Sequence, residues 1–346
     1  MKHVKQMIAA SILFSGIASV APALASSITT HPASIQAPYE QIATYTDVGT
    51  TPHFTGVDHL LHKLFISNLK AGTITVVDTA TGKMIKSMKL GGTLHTVMVD
   101  QEAHRVYVTD IERNLLDVID ANTDKEIQHI TVSKMPHGLA LAPMLHRIYV
   151  SSVGNNSVDV IDSTQMKRMT TVAVGPNPWG VDVDHQTQAV YSANTGSLPN
   201  GTNNPNGNSV TEIDGHTDQP KRTIVVGPHP WNIVVNQQSH VVYTGVSDAN
   251  NVAVIMGEQP VLHITVGKSP HGLAMDERRQ RLFVNNSGSN SVSVIDVKTN
   301  TVIQTIPVGK DPQGVCVDQV TGDVYVANQG ENTVTVLHPK QPDAVH

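Results

Sequence analysis

Between Val266 and Pro312 the chain alternates short apolar runs with polar turns, on a spacing too short for helices. Gly272–Met275, Arg281–Val284, Ser291–Ile295 and Val302–Val308 are rich in Val, Ile and Phe, and Asn, Gly, Ser or charged residues separate them. Short β-branched and aromatic runs bounded by turn residues read as strands. The cycle restarts at Pro312-Gln313-Gly314, 42 residues after Pro270. Four short antiparallel strands in that length predict one blade of a propeller.

With Pro270 as a marker, the same register runs along the whole chain. The marker falls at Pro52, Leu94 (in place of Pro), Pro136, Pro178, Pro230, Pro270 and Pro312. The spacing is 42 residues except for 52 after Pro178 and 40 after Pro230. Thirteen residues after each marker stands an aromatic: Phe65, Tyr107, Tyr149, Tyr191, Tyr243, Phe283 and Tyr325. The third strand recurs as Thr73–Asp78, Leu115–Asp120, Ser157–Asp162, Ser209–Asp214, Asn251–Ile255, Ser291–Asp296 and Thr333–Leu337. Several of these end on Asp, which bonds nearby amides in a turn. Asp58, Asp100, Asp184, Asp276 and Asp318, six residues after their markers, are expected to shape the strand end.

The runs Tyr149-Val150-Ser151-Ser152, Tyr107-Val108-Thr109-Asp110 and Tyr325-Val326-Ala327-Asn328 look like the YVTN repeat. With Pro-His-Gly and Val-x-Val-Ile-Asp beside them, the chain resembles the YVTN/YncE-like family of bacterial secreted β-propellers. The resemblance covers roughly residues 40–338 and implies a fold and an exported location, without an activity.

The expectation is therefore an all-β, seven-bladed propeller of four-stranded antiparallel blades. The last copy stops after its third strand at Val336-Leu337, and only HPKQPDAVH follows. Gln41–Val48 is expected to supply the missing fourth strand, which removes the two open edges that invite aggregation.

The N-terminus changes the picture of where this ring works. Lys2 and Lys5, the apolar run Met7–Val20 and Ala23-Leu24-Ala25 read as a signal peptide cleaved after residue 25. The expected organisation is signal 1–25, flexible leader 26–39, propeller 40–338 and tail 339–346. The mature chain is expected to be monomeric, periplasmic or secreted, with no membrane span. Removing Lys2 and Lys5 from 23 basic residues leaves 21 against 29 acids, a net charge of −8. That balance disfavours nucleic acid as a partner. The single Cys316 falls where other copies have Ala140 and Ala274 and reads as a small core residue. One cysteine forms no intrachain disulfide, so ring closure has to carry the stability.

No zinc-protease, redox-cysteine, nucleophile-elbow or nucleotide-binding motif occurs. The candidate site is the residue directly after each marker: His53, His95, His137, Trp179, Trp231, His271 and Gln313. Strand parity puts these seven on the face that carries the second-to-third-strand loops. The one long loop, 195–207, is among them. Trp179 and Trp231 are the only tryptophans, and an aromatic pair on neighbouring blades suits a sugar, a base or a peptide ring. His53, His95 and His137 come from consecutive blades and offer nitrogens to a transition metal if they converge. The bland reading is that a duplicated blade multiplies any His it carried. His62, His104, His146 and His240, in the turn on the opposite face, form just such a second set.

The expected function is a binding or interaction module that takes a small molecule, protein or peptide at the channel mouth. Its ligand and cofactor are unknown from sequence. The alternative is a lactonase- or lyase-like propeller enzyme, or a metal-binding protein, using the same mouth. No carboxylate pair can be assigned to acid–base work.

Overall fold

The computed structural model describes residues 38–196, 204 and 207–340. The expected signal peptide, almost all of the leader, residues 341–346 of the tail and most of the 195–207 loop lie outside the described residues. The strands form seven four-stranded antiparallel sheets, each the blade of a ring. Blade 1 runs Pro52–Asp58, Lys63–Asn68, Thr73–Asp78 and Met84–Lys89 from the axis outward. The next five open at Leu94, Pro136, Pro178, Pro230 and Pro270. Blade 7 takes Pro312–Val317, Val324–Asn328 and Thr333–Pro339 from the C-terminal end and Tyr39–Tyr45 from the N-terminal end. Tyr39 pairs with Pro339 and Tyr45 with Val334, so the seam is closed by strand pairing. No helix among the described residues is long and apolar enough to cross a membrane.

The core is divided among the seams. Each of seven buried clusters draws on two neighbouring blades; one joins Phe65, Ile74 and Val76 of blade 1 to Val97, Val106 and Ile119 of blade 2. The recurring aromatics sit in these wedges: Tyr107, Tyr149 and Tyr243 are 0 % exposed, but Tyr191 is 8 % exposed.

Two devices set how consecutive blades join. The residue before six of the markers adopts a left-handed conformation: Thr51, Met135, Asn177, His229, Ser269 and Asp311, with φ from 51 to 56°. Such a backbone is rare outside Gly and Asn and persists only where surroundings fix it. Here an Asn in the preceding blade, itself left-handed, accepts the strained residue's N–H on its side-chain oxygen. The donors are Met135 to Asn114, Asn177 to Asn156, His229 to Asn208, Ser269 to Asn250, Asp311 to Asn290 and Thr51 to Asn332, at 2.7–3.4 Å. Blade 1 has Gly72 in place of that Asn, and the marker it would serve is the one that is not proline, Leu94.

Hydroxyls complete the join on the inner face. Ser67 Oγ donates to the His95 carbonyl at 2.5 Å, Thr109 Oγ1 to that of His137 at 2.8 Å, and Ser151 Oγ to that of Trp179. In blade 6 Asn285 does the same for Gln313 at 3.1 Å. The expected Asp turns are also present: Asp78 accepts from the Thr81 amide at 2.7 Å and Asp276 from the Arg279 amide at 2.8 Å.

Candidate functional site

Every innermost strand carries the same irregularity. Its pairing with the second strand skips from the marker to three residues later, as between Pro136 and Leu139 or Pro270 and Leu273. A bulge re-aims the side chains it frees, and here it turns the residue after the marker toward the axis. The following residue is Gly138, Gly180, Gly272 or Gly314 in four blades, and a Cβ there would strike the backbone of the next blade. Blade 1 carries Phe54 at that place, and its ring lies 5.2 Å from those of both His53 and His95.

Six of the seven expected residues meet around the axis. His53–His95 and His95–His137 stand 4.5 Å apart between centroids, His137–Trp179 and Trp179–Trp231 4.1 Å, and Trp231–His271 5.1 Å. His271 and His53 close the circle at 6.1 Å. The seventh, Gln313, turns to Asp311, to which it donates at 2.6 Å. The rings pack edge-on or tilted against one another, an arrangement aromatic quadrupoles favour. His53, His95 and His137 are buried, and the two tryptophans and His271 are half-buried.

Burial of this kind disfavours charge. It holds His53 and His95 well below the ordinary imidazole value, and neighbouring imidazoles add to the effect. His137 and His271 fall to about 4, burial again being the main cause. The ring is therefore neutral at pH 7. Three of its nitrogens, His95 Nε2, Trp179 Nε1 and His271 Nδ1, are buried without a hydrogen-bond partner among the described residues. These residues, with Phe54 and Trp231, border a pit of about 20 Å3, room for one water-sized group. Among the described residues no group of three or more His, Cys, Asp or Glu is arranged to hold a metal.

The second His set has a different task. His62, His104, His146 and His240 all have φ between 50 and 61°, the left-handed position of the first-to-second-strand turn. The carbonyls of His62, His104 and His146 accept the amides of Thr79, Ala121 and Ser163.

On the other side of the ring the channel widens into a cavity of about 390 Å3. Phe54 and the backbone beside the ring are its floor, and Val97, Val181, Ile233, Leu273 and Val315 contribute to its walls. Asp182, which sequence reasoning missed, is the one carboxylate among the lining residues. Its oxygens accept the amides of Val183 at 2.9 Å and Val235 at 2.8 Å. Burial outweighs these donors and pushes its pKa up to about 7. The signal for it lay in the repeat, since the same position holds Gly56, Met98, Ala140, Val234, Ala274 or Cys316 in the other blades. Asn232 stands beside it in the cavity wall.

No protein-family model matches the chain, and no curated protein matches it. Among solved structures it is similar to the hydrazine synthase of Kuenenia stuttgartiensis, with a TM-score of 0.73 at 20% identity over 85% of this chain and 96% of that one. It is also similar to streptogramin B lyase, with a TM-score of 0.69 at 13% identity over 87% of this chain and 97% of that one. At such identities the likeness shows the β-propeller alone; fold does not fix chemistry.

Proposed function

We propose that this chain is an exported binding module of the YVTN/YncE kind, which takes a small molecule or a peptide side chain into its central channel. The observation that carries the reading is the cavity stopped at one end by the aromatic ring, in whose wall apolar side chains alternate with exposed polar groups and Asp182 is the one carboxylate among the lining residues. Concave sites with a small number of placed polar groups are where ligands bind. Asp182 and Asn232 orient the ligand's polar end, the walls hold its body, and Phe54 with the His53–His271 circle forms the floor. The export signal in residues 1–25 and the YVTN-like runs support the location and the family.

Trp179 and Trp231 report on the floor, so a small-molecule library screened by thermal shift and followed by indole fluorescence tests the reading. Hits are expected to lose affinity at least tenfold in Asp182→Ala, since truncating a hydrogen-bonding partner leaves the ligand's polar group unpaired. Ala274→Phe, which fills the channel, is expected to abolish their binding. A ligand indifferent to both substitutions overturns the reading.

A further inference from the structure

Most seams between blades are crossed by a side chain that reaches the third-to-fourth-strand turn of the next blade. Lys63 of blade 1 donates to the Ala121 carbonyl at 2.8 Å and pairs with Asp124 at 2.9 Å. Arg105 of blade 2 donates to the Ser163 carbonyl at 3.2 Å. Arg147 of blade 3 donates to the Gly215 carbonyl and pairs with Asp218 at 2.7 Å. In blade 5 the hydroxyl of Tyr243 reaches Asn300 at 2.9 Å, and Tyr45 in blade 7 reaches the Thr79 carbonyl of blade 1 at 2.8 Å. Blade 7 has no such turn, because two chain segments meet there. Among the described residues, only the seam between blades 4 and 5 has the turn and lacks the crossing side chain.

At that seam Ala189 stands where blades 1, 2 and 3 carry Lys63, Arg105 and Arg147. A cleft of about 660 Å3 opens there, and Ala189, Tyr191, Met256, Gly257 and Glu258 help to line it. A second departure faces the same space. Glu212 replaces the residue that is Val76, Val118, Val160, Val254, Val294 or Val336 in every other blade. It is 3% exposed and lines the cleft. A buried carboxylate at a core valine position needs cationic partners, and Lys221 at 3.0 Å and Arg222 at 2.5 Å provide them. The Lys221 side chain is 64% exposed, so its hold on Glu212 is weak.

The cleft is net acidic. Asp184, Glu212, Asp214 and Glu258 face it against Lys221 and Arg222. Asp184 is engaged by His240 at 2.9 Å, whereas Glu258 is exposed on the turn. The Tyr191 hydroxyl forms no hydrogen bond among the described residues, while Tyr149, one blade earlier, donates to the Gly215 carbonyl at 3.4 Å. Burial, and after it the Glu212 charge, pushes Tyr191 up to about 12, so its hydroxyl stays protonated at pH 7.

We propose that the cleft between blades 4 and 5 binds an alkylguanidinium, which takes the place that a basic side chain of the protein itself fills at the three preceding seams. The headgroup meets the Gly257 carbonyl and Glu258 on the third-to-fourth-strand turn of blade 5, which is two residues shorter than that of blade 2. The stem lies over Ala189 against Tyr191. Planar guanidinium suits paired carbonyl and carboxylate acceptors. The site shares no lining residue with the central channel.

The test is calorimetric titration of the full chain with butylguanidinium, with propionate as the anionic counterpart and an acetylated, amidated Gly-Arg-Gly peptide as a second source of the same group. Butylguanidinium is expected to saturate at one per chain, and propionate is not. Binding of the peptide as well marks a docking site for a protein's arginine; binding of the free cation alone marks a small-molecule site. Ala189→Arg restores the pattern of blades 1–3, and is expected to weaken butylguanidinium at least tenfold and to raise the melting temperature. Glu258→Gln lies on an exposed turn, leaves folding intact and is expected to weaken binding severalfold. Ala274→Phe in the channel is expected to leave this titration unchanged. Absence of saturation, preference for propionate, or an affinity unmoved by both Ala189→Arg and Glu258→Gln overturns the proposal.

Discussion

The strand that closes the ring is held by its ends. Of Tyr39–Tyr45 only the two tyrosines are buried, at 2% and 9% exposure, and the residues between them are exposed or half-buried. Tyr39 packs edge-on against Phe283 at 4.9 Å and its hydroxyl meets Asp276 at 3.4 Å. Tyr45 packs on Tyr325 and donates to the Thr79 carbonyl at 2.8 Å. Truncating a buried aromatic to Ala costs ~3–5 kcal/mol. Unfolding entropy of roughly 2.1 cal/mol/K per residue, over about 300 residues, makes 1 kcal/mol worth about 1.6 °C. Each of Tyr39→Ala and Tyr45→Ala is therefore expected to lower the melting temperature by roughly 5–8 °C. The two rings belong to different clusters and lie about 20 Å apart along the strand, so their effects should add. The double variant is expected to melt roughly 10–16 °C below the parent, and deletion of residues 39–48 to expose the edge of Thr333–Pro339 and aggregate. Circular dichroism melts with size-exclusion chromatography read both. A double variant that melts within 2 °C of the parent, or a deletion that stays monomeric, refutes closure by this strand.

The neutral ring predicts a pH dependence. The His137 pKa in the fold, about 4, lies below its unfolded value of ~6.5, so the unfolded chain binds the extra proton and stability falls as pH drops below ~6.5. Relative to His137→Phe the parent is expected to lose about 2 kcal/mol between pH 7 and 5; Asp182, whose raised pKa acts in the opposite sense, cancels in the difference. A gap between the two melting curves that stays constant over that range rejects the neutral ring. At the first seam Lys63→Met keeps the stem but strands Asp124, which is 7% exposed, and is expected to cost roughly 3 kcal/mol. Adding Asp124→Leu should recover most of that cost, and a double variant no better than the single one in denaturant titration contradicts the account.

Much of the fold was legible because a blade is a local object. Four strands and three turns fit inside one 42-residue cycle, and Val, Tyr and Asp mark it at fixed offsets. The seven-fold count and the closing segment then followed from the register. The candidate site was legible in its residues and not in its geometry. Spacing placed His53 to His271 on one face, but that they meet each other depends on a bulge whose effect on side-chain direction no spacing reveals. Asp182, Ala189 and Glu212 were visible in principle as departures from the repeat. They stayed silent because a substitution at one repeat position acquires meaning only when the neighbouring blade across the seam is known. The Asn114-type bridges are hidden for the same reason, since each one joins residues of two copies.

The way blade 7 is assembled also sets a timetable. Blades 1–6 are each contiguous in the chain, so their pairing can begin as synthesis proceeds. Tyr39–Tyr45 is made before any of them and has no partner until Thr333–Pro339 exists, roughly 290 residues later. At a synthesis rate of about 5–20 residues per second that is ~15–60 s of waiting, against microseconds for an ordinary hairpin to form. The first segment of the ring to be made is thus the one that waits longest for its partner, and until it pairs with Thr333–Pro339 the ring keeps an open seam.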